Sequence, residues 1–282
     1  MKTCENVCYP KEKDFLKMQI NSEKGLMLGC LYKEKTLKQK LIRKNSPDEI
    51  KTFVRCLYPL ACLVIAPIGA GKTASIALPN LYSLPNSFIV LDIKGELYQK
   101  SAGYRQKHFG HKILKFSFLS EESMNFDYKQ LKEEKITIYL TIESEMINEL
   151  PAKTSLIKTF IENLFKDLMM KEENNPDRFV YFLFDEFTYF GEIPCIIKTL
   201  TLYEKYGFVP IYLAQSYEQI QKCYGKNNFD TLLSNMNYQV IFNTDCSDIL
   251  ILVKESNPIK AEINYWFKNP QWEGADKIPI ES

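Results

Sequence analysis

Two stretches of the chain carry side chains that could bind and cleave a phosphoanhydride bond. In the first, an apolar run ends in a glycine-containing turn, a lysine and a hydroxyl: Ala66, Pro67, Ile68, Gly69, Ala70, Gly71, Lys72 and Thr73. In the second, six apolar residues are followed by Asp185 and Glu186. Backbone N–H groups of such a turn can cradle phosphates, lysine can reach the outer phosphates, and threonine and aspartate oxygens can ligate Mg²⁺. Together the two stretches predict a site for a nucleoside triphosphate with Mg²⁺ as the metal.

The first stretch differs at one position from the P-loop pattern G-x-x-x-x-G-K-[ST], because Ala66 stands where glycine is usual. Alanine is tolerated there if its φ angle is negative. The alternative is that Gly71-Lys72-Thr73 occurs by chance after a buried strand. An apolar run at 61–65 and a helix-like stretch at 74–81 flank the turn. This strand–loop–helix context favours the phosphate-binding interpretation.

Polar residues at the ends of the predicted strands can be given chemical roles. Asp185 is expected to hold Mg²⁺, directly or through water, opposite Thr73. Glu186 is expected to orient the attacking water or to take its proton, and Gln215 to hydrogen-bond that water or the γ-phosphate. Asp92 could brace the metal-bound waters or the P-loop lysine. Asp92 and Gln215 could equally be residues that cap a helix or complete a turn.

The elements that must position these residues alternate between strand and helix. Strands are predicted at 25–32, 87–92, 112–118, 135–142, 179–184, 209–214 and 238–243. Apolar spacings of three and four predict an amphipathic helix over 151–170, and further helices are expected over 97–107 and from 47 to 57, with Ser46 as N-cap. The pattern predicts an α/β fold with a mainly parallel sheet and helices on both faces. The carboxyl ends of its strands would bring the P-loop and the polar pairs to one edge.

Composition excludes some classes of protein and leaves the partner open. The 282 residues are 45% hydrophobic, and the net charge of +1 says little about partners. The basic stretch at 33–44 is typical of a solvated face, and a phosphate-contacting patch is the less favoured alternative. Eight cysteines occur without a C-x-x-C pair, which favours a reducing, cytoplasmic compartment. His108 and His111 are expected at the surface. The longest apolar run, 57–68, is too short to span a membrane.

Further segments follow a recognisable order along the chain. They are Gly25 to Gly29, Pro79-Asn80-Leu81, Val90 to Tyr98, Ala102 to Arg105, Phe187 with Phe190-Gly191 and Ile193-Pro194, Tyr206-Gly207, Ala214-Gln215-Ser216, Tyr224-Gly225, Pro258 to Ala261, and Tyr265-Trp266. In this combination the chain resembles the coupling proteins of type IV secretion and bacterial conjugation, the TraG/TraD-like branch of the FtsK/HerA motor ATPases. The resemblance covers about residues 22–272, and in it the last two segments correspond to a C-terminal strand pair.

The resemblance implies a RecA-like P-loop NTPase fold, with a polar lead-in at 1–21, a single nucleotide-binding motor domain at 22–272 and a C-terminal tail at 273–282. It implies Mg²⁺-dependent ATP hydrolysis that moves DNA or nucleoprotein cargo, contacted through phosphates without sequence readout. It also implies a ring of identical subunits, such as a hexamer, at a type IV secretion apparatus on the inner membrane. The chain itself is expected to be cytoplasmic or peripheral at that membrane, without a transmembrane segment.

The chain also departs from the family pattern. The membrane helices of the family are not found, and only residues 120–134 occupy the place of its all-helical domain. Ring motors usually complete a neighbour's site with an arginine, for which Arg105 and Arg178 are the candidates in the core half of the chain. The alternative function is therefore a reduced or fragmentary paralogue that binds nucleotide, turns over little or none of it, and acts in assembly or regulation. A small-molecule kinase is less favoured, because no lid or acceptor-binding motif is found.

Overall fold

The computed structural model describes residues 25–32, 50–56, 60–118, 120–142, 144–243 and 248–281. The predicted lead-in at 1–21 and the basic stretch at 33–44 lie outside the described residues. Within the described ranges, no helix combines the length and the apolar character needed to cross a membrane.

A single sheet of eleven strands runs through the described part of the chain. The strands are β1 (Leu26–Tyr32), β2 (Ile50–Cys56), β3 (Cys62–Ile65), β4 (Phe88–Leu91), β5 (Lys112–Ser117), β6 (Ile136–Thr141), β7 (Val180–Phe184), β8 (Phe208–Ala214), β9 (Tyr238–Phe242), β10 (Asp248–Val253) and β11 (Ile259–Glu262). The seven strands predicted between residues 25 and 243 from the apolar pattern are all present, and they begin and end within a residue of the predicted bounds.

The strand order is β2-β1-β11-β10-β9-β3-β8-β7-β4-β6-β5. From β9 to β5 each neighbouring pair is parallel, whereas β10, β11, β1 and β2 extend the sheet in antiparallel fashion. The central strands are apolar throughout because both of their faces are covered. On β7, for example, Phe182 faces one core and Leu183 the other. The prediction of a mainly parallel sheet is confirmed.

Helices cover both faces of the sheet, as predicted. They are α1 (Leu78–Ser83), which continues a π-helical turn at Thr73–Ala77, α2 (Glu96–Phe109), α3 (Glu121–Asn125), α4 (Ser144–Leu168), α5 (Pro194–Thr199) and α6 (Tyr217–Asn235). On one face α1 and α2 bury Leu81 and Leu97. On the other face α4, α5 and α6 bury Ile157, Ile196 and Ile220. Both faces of the central strands are therefore covered by helices.

The helix predicted from 47 to 57 is wrong. The described part of this segment, residues 50–56, is strand β2, which pairs antiparallel with β1. Val54 and Cys56 are buried while Phe53 and Arg55 are half-exposed, the alternation with a period of two that a half-buried strand requires. Pairing with β1 overrides the local helix-start signal, because strand formation depends on neighbouring strands more than on intrinsic preference.

The predicted C-terminal strand pair is only half correct. Residues 259–262 form strand β11, but Tyr265 precedes and Trp266 begins a 3-10 turn, Trp266–Lys268. The chain leaves the sheet here because the Trp266 ring enters the core, where it meets the Tyr82 ring edge-on at a centroid distance of 5.8 Å. Tyr265 is thereby placed above the helix that follows β3 instead of within the sheet.

Arg105 and His111 are both buried, which corrects the prediction that His111 lies at the surface. The Arg105 guanidinium donates to Thr137 Oγ1 at 2.7 Å and to the carbonyl oxygens of Leu81 and Asn86, each at 2.6 Å. His111 Nδ1 lies 2.9 Å from the same Thr137 oxygen. Burial and the nearby Arg105 charge lower the pKa of His111 to about 3, so its ring is neutral at neutral pH. The network ties α2 to β6 and to the loop before β4.

The predicted C-terminal tail packs on α2. A Cβ atom at Gly103 would overlap the Ile278 carbonyl group, so only glycine allows this close approach. Gln106 Nε2 donates to the Glu281 carbonyl at 3.0 Å, and the Glu281 N–H donates back to Gln106 Oε1 at 2.7 Å. The tail therefore holds the outer face of the helix whose other face carries Arg105.

Candidate nucleotide-binding site

Four neighbouring strands, β3, β8, β7 and β4, end at one edge of the sheet and deliver the predicted site residues there. The P-loop follows β3, Gln215 follows β8, Asp185 follows β7 and Asp92 follows β4. Backbone hydrogen bonds continue past the strand ends, from Ala66 N–H to the Ala214 carbonyl at 3.0 Å and from Asp185 N–H to the Leu91 carbonyl at 3.3 Å. The expected convergence at the carboxyl edge is therefore present in the structure.

The loop after β3 has the backbone that the P-loop pattern requires. Gly69 and Gly71 adopt positive φ angles of 78° and 85°, a region that favours glycine. The Ala70 N–H donates to the Pro67 carbonyl at 3.1 Å and closes the turn. Ala66 is fully buried and is not among the described non-glycine residues with positive φ. The condition under which alanine can replace glycine is thus met.

A helical turn begins directly after the loop, at Thr73, and runs on into α1. The first N–H groups of a helix have no intrahelical acceptor, and they carry the positive end of its dipole. Ser75 fixes the start, because its N–H and its hydroxyl donate to the Gly71 carbonyl at 2.9 and 2.8 Å. The Lys72 side chain is buried and Thr73 is half-exposed. The arrangement presents backbone donors and a cation to an anion such as a phosphate.

Asp185 supplies a buried oxygen that the protein leaves unsatisfied. In the described part of the chain, its Oδ1 has no hydrogen-bond partner. Burial raises the pKa of the Asp185 carboxyl to about 6, while the Lys72 charge opposes this and the Glu186 and Asp92 charges add to it. A buried acceptor without a donor is costly unless a cation meets it. Asp185, together with the Thr73 hydroxyl, is a hard-oxygen donor set that fits Mg²⁺.

Glu186 is held in an unusual backbone conformation and in an ion pair. Its φ angle is 61°, in the left-handed region that non-glycine residues rarely adopt. Its Oε1 accepts from Lys94 Nζ at 3.1 Å, and this hydrogen bond, together with the Glu186 charge, raises the pKa of Lys94. Strain of this kind persists where the surroundings impose it, and it clusters at functional sites. Sequence reasoning missed the pairing partner, although Lys94 lies in the 90–98 segment that it singled out.

Phe187 anchors the turn that carries both acids. Its side chain is fully buried, and its ring stacks on Tyr212 at a centroid distance of 4.4 Å and on Tyr224 at 5.4 Å. The Phe187 N–H donates to the Leu213 carbonyl at 2.8 Å. The turn is thereby fastened to β8, which fixes the positions of Asp185 and Glu186. A phenylalanine after two acids was visible in the sequence, but its stacking partners come from distant segments.

Asp92 acts as a helix-capping residue. Its Oδ2 accepts from the Tyr98 N–H at 2.8 Å in the first turn of α2. Burial raises the pKa of the Asp92 carboxyl, although N–H groups of that turn oppose the shift. Of the two roles left open by the sequence, the structure supports the cap.

Gln215 is half-exposed at the end of β8, between the P-loop strand and the strand of Asp185.

The arginine candidates for completing a neighbour's site are not equivalent. Arg105 is fully buried and its guanidinium is committed to the network described above, so the prediction that it could reach another subunit is wrong. Arg178 is exposed, but it precedes β7 and therefore lies at the amino edge of the sheet, opposite the P-loop. Within the described residues of this chain, Arg178 remains the accessible candidate of the two.

Comparison with known proteins identifies the family. The profile of the family described as "Type IV secretory system Conjugative DNA transfer" matches residues 21–126 and 119–248, which together are more than half of the chain. The chain belongs to this family. The resemblance seen in the sequence is thus confirmed, as is its placement among the coupling proteins of type IV secretion and conjugation.

Individual relatives match over shorter segments. Conjugal transfer protein TraG of Escherichia coli is 31% identical over 92 residues, which are 33% of this chain and 12% of that protein. Protein VirD4 of Rhizobium radiobacter is 41% identical over 66 residues, which are 23% of this chain and 9% of that protein. The matching segments thus span about a tenth of the length of these relatives.

Solved structures agree on the fold. The bacterial conjugative coupling protein TrwBdeltaN70 in its unbound monoclinic form superposes with a TM-score of 0.56 at 12% identity, over 73% of this chain and 85% of that chain. TrwB in complex with ADP and Mg²⁺ gives a TM-score of 0.56 at 11% identity, over 86% and 95%. At such identities the likeness concerns the fold alone, and it confirms the RecA-like P-loop NTPase fold.

Proposed function

We propose that this chain is a Mg²⁺-dependent, ATP-hydrolysing motor subunit of a type IV secretion or conjugative DNA transfer system, with residues 22–272 forming one nucleotide-binding domain. Membership of the family supports the biological setting. The observation that carries the enzymatic part is the buried, unpartnered Oδ1 of Asp185 at the same sheet edge as the P-loop. TrwB in complex with an ATP analogue, and with ADP and Mg²⁺, adds support for the choice of ligand.

Each site residue has a role in this proposal. The N–H groups of residues 69–73 wrap the phosphates, and Lys72 neutralises the outer ones. Asp185 and Thr73 hold Mg²⁺, which supplies positive charge against the phosphate oxygens. Glu186 orients the attacking water and takes its proton. To do so its carboxylate exchanges the Lys94 ion pair for the water, and Gln215 contacts the same water or the γ-phosphate from β8.

Partners and location follow from the family and not from the site. We propose that the chain assembles into a homo-oligomeric ring, such as a hexamer, that contacts DNA or nucleoprotein through phosphates. Because the net charge is only +1, such contacts need a local basic surface. The ring would work beside a type IV secretion apparatus at the inner membrane, with this chain cytoplasmic or peripheral to it.

The burial of Arg105 favours a second candidate function. A ring motor needs a guanidinium at its neighbour's phosphates, and lysine does not reproduce its forked geometry. If neither Arg178 nor another chain provides it, this chain binds nucleotide with little turnover and acts as an assembly or regulatory component. The two candidates share the binding site and differ in the chemical step.

Steady-state ATP hydrolysis by the full chain separates these candidates. It is measured in Mg²⁺ over a range of protein concentrations, with and without single-stranded DNA, beside a reaction without protein as a blank. The motor proposal predicts a specific rate that rises with protein concentration and with DNA, and a DNA effect that weakens as salt rises. Tight ATP binding with a rate equal to that of the blank under every condition would support the non-motor candidate instead.

A further inference from the structure

An aromatic segment from the C-terminal part of the chain lies on the P-loop. A Cβ atom built on Gly71 would fall 2.7 Å from Cε1 of Tyr265, so the edge of the tyrosine ring touches the loop just before Lys72. Tyr265 packs into the same apolar cluster as Ala70 and Ala74. Trp266, buried beneath it, holds the segment in place. The tyrosine is therefore a fixed part of the wall beside the phosphate cradle.

A second ring extends this wall into solvent. The Phe267 ring stacks on the Tyr265 ring with centroids 5.2 Å apart and an interplanar angle of 23°. Phe267 is 58% exposed, although large apolar side chains usually find cover. Its edge is braced by the Trp266 ring, with centroids 5.8 Å apart at 86°, and Lys268 Nζ lies 5.0 Å from the centroid of Tyr265. The result is an outward-facing aromatic surface next to the phosphate site, with the Phe267 ring held by two ring contacts.

We infer that Phe267, supported by the Tyr265 ring stacked behind it, forms the platform on which the base of the bound nucleoside triphosphate stacks. This inference rests on the proposed nucleotide binding and extends it to the other end of the ligand. A nucleotide whose phosphates lie in the P-loop places its base beyond the ribose, to one side of the loop. An exposed aromatic ring there offers a flat, apolar surface to a flat base. Stacking of a base on an aromatic side chain is favourable and tolerates different bases, since each has a π face.

The test compares ATP with inorganic tripolyphosphate, which has the phosphates and no base. Dissociation constants are measured in Mg²⁺ for the wild-type chain, Phe267→Ala and Phe267→Trp. The control is Met170→Ala, which removes a side chain that is 66% exposed and follows α4 at the opposite edge of the sheet. Phe267→Ala should weaken ATP binding about tenfold and leave tripolyphosphate binding unchanged. Phe267→Trp should retain ATP affinity, and its new indole fluorescence should change with ATP and not with tripolyphosphate.

Two results would overturn the platform while leaving nucleotide binding intact. One is an ATP affinity of Phe267→Ala equal to that of the wild type. The other is an equal loss of ATP and tripolyphosphate affinity, which would show that the segment only supports the P-loop. Wild-type protein that binds neither ligand would refute the proposed function itself, and the platform with it.

Discussion

Replacement of Asp185 by asparagine should stabilise the ligand-free protein at alkaline pH. The buried carboxyl has a pKa of about 6 in the folded chain, against an ordinary value of 3.8. Above pH 6 it is ionised in both the folded and the unfolded chain, and the folded chain bears the full cost of burying the charge. Below pH 3.8 it is neutral in both, and that cost disappears. Stability contributed by this group therefore falls as pH rises between the two values.

The size of the effect follows from the two pKa values. A separation of about two pH units corresponds to about 3 kcal/mol of unfolding free energy at pH 8. At pH 5 the group is partly protonated in the folded chain, and the same relation gives about half of that. Because the asparagine amide adds a donor to a site built for a cation, the gain for Asp185→Asn at pH 8 should be about 1 to 3 kcal/mol.

Urea denaturation at pH 8 and at pH 5, without nucleotide or metal, measures this prediction. The control is Asp230→Asn, which changes an exposed aspartate on α6 and should leave the unfolding free energy unchanged at both pH values. Adding ATP and Mg²⁺ should stabilise the wild type and not Asp185→Asn. The variant would then be more stable without ligand but would no longer bind the nucleotide with its metal. A variant less stable than the wild type at pH 8, or a gain that does not change with pH, would refute this account of the buried carboxylate.

Three further variants test other parts of the structure. Glu186→Gln should keep the ATP affinity of the wild type and lose about a hundredfold or more of its turnover, because the base that orients the water is removed; binding titration and steady-state hydrolysis check this, and retained turnover would assign the chemistry elsewhere. Gly103→Ala should lower the unfolding free energy by about 1 to 3 kcal/mol, since the added methyl overlaps the Ile278 carbonyl; in a chain truncated after residue 277 the same substitution should cost almost nothing, and an equal cost in both backgrounds would contradict the contact. Arg105→Met should lower the unfolding free energy by about 3 to 5 kcal/mol, because buried carbonyl oxygens lose their donors. Arg178→Met should have little effect, and both variants are measured by thermal and urea unfolding. A loss of unfolding free energy for Arg105→Met as small as that for Arg178→Met would show that Arg105 is not structural.

Much of the sheet could be predicted because its central strands are buried on both faces. Runs such as 62–65, 180–184 and 208–214 are apolar without interruption, and each ends in a turn or a polar pair. Such runs predict parallel strands, and the strand-end rule then places the P-loop and Asp185 together. Local signals failed for β2, where a Pro-Asp-Glu sequence typical of a helix start precedes a strand that exists only because β1 pairs with it.

The site could be predicted in its chemistry but not in its contacts. Lys72, Thr73, Asp185 and Glu186 were identifiable because each follows a recognisable strand. The Lys94–Glu186 ion pair and the Tyr265 ring on Gly71 join segments far apart in the chain, and no local pattern encodes them.

The burial of the Arg105 side chain could not be predicted from the neighbouring sequence either. Arg105 looks like a surface residue of an amphipathic helix, and only the cluster of carbonyl oxygens around it explains why it is inside.

The central claim is that residues 66–73 bind the phosphates of a nucleoside triphosphate. The most direct measurement is an equilibrium titration of the full chain with ATP in Mg²⁺, for the wild type, for Lys72→Ala and for Lys198→Ala, which removes an exposed lysine on α5. Loss of the Lys72 charge should weaken binding by about a hundredfold, as expected for a buried charge-assisted contact, while Lys198→Ala should match the wild type. Equal ATP affinity in the wild type and Lys72→Ala would contradict the assignment of this loop as the phosphate cradle.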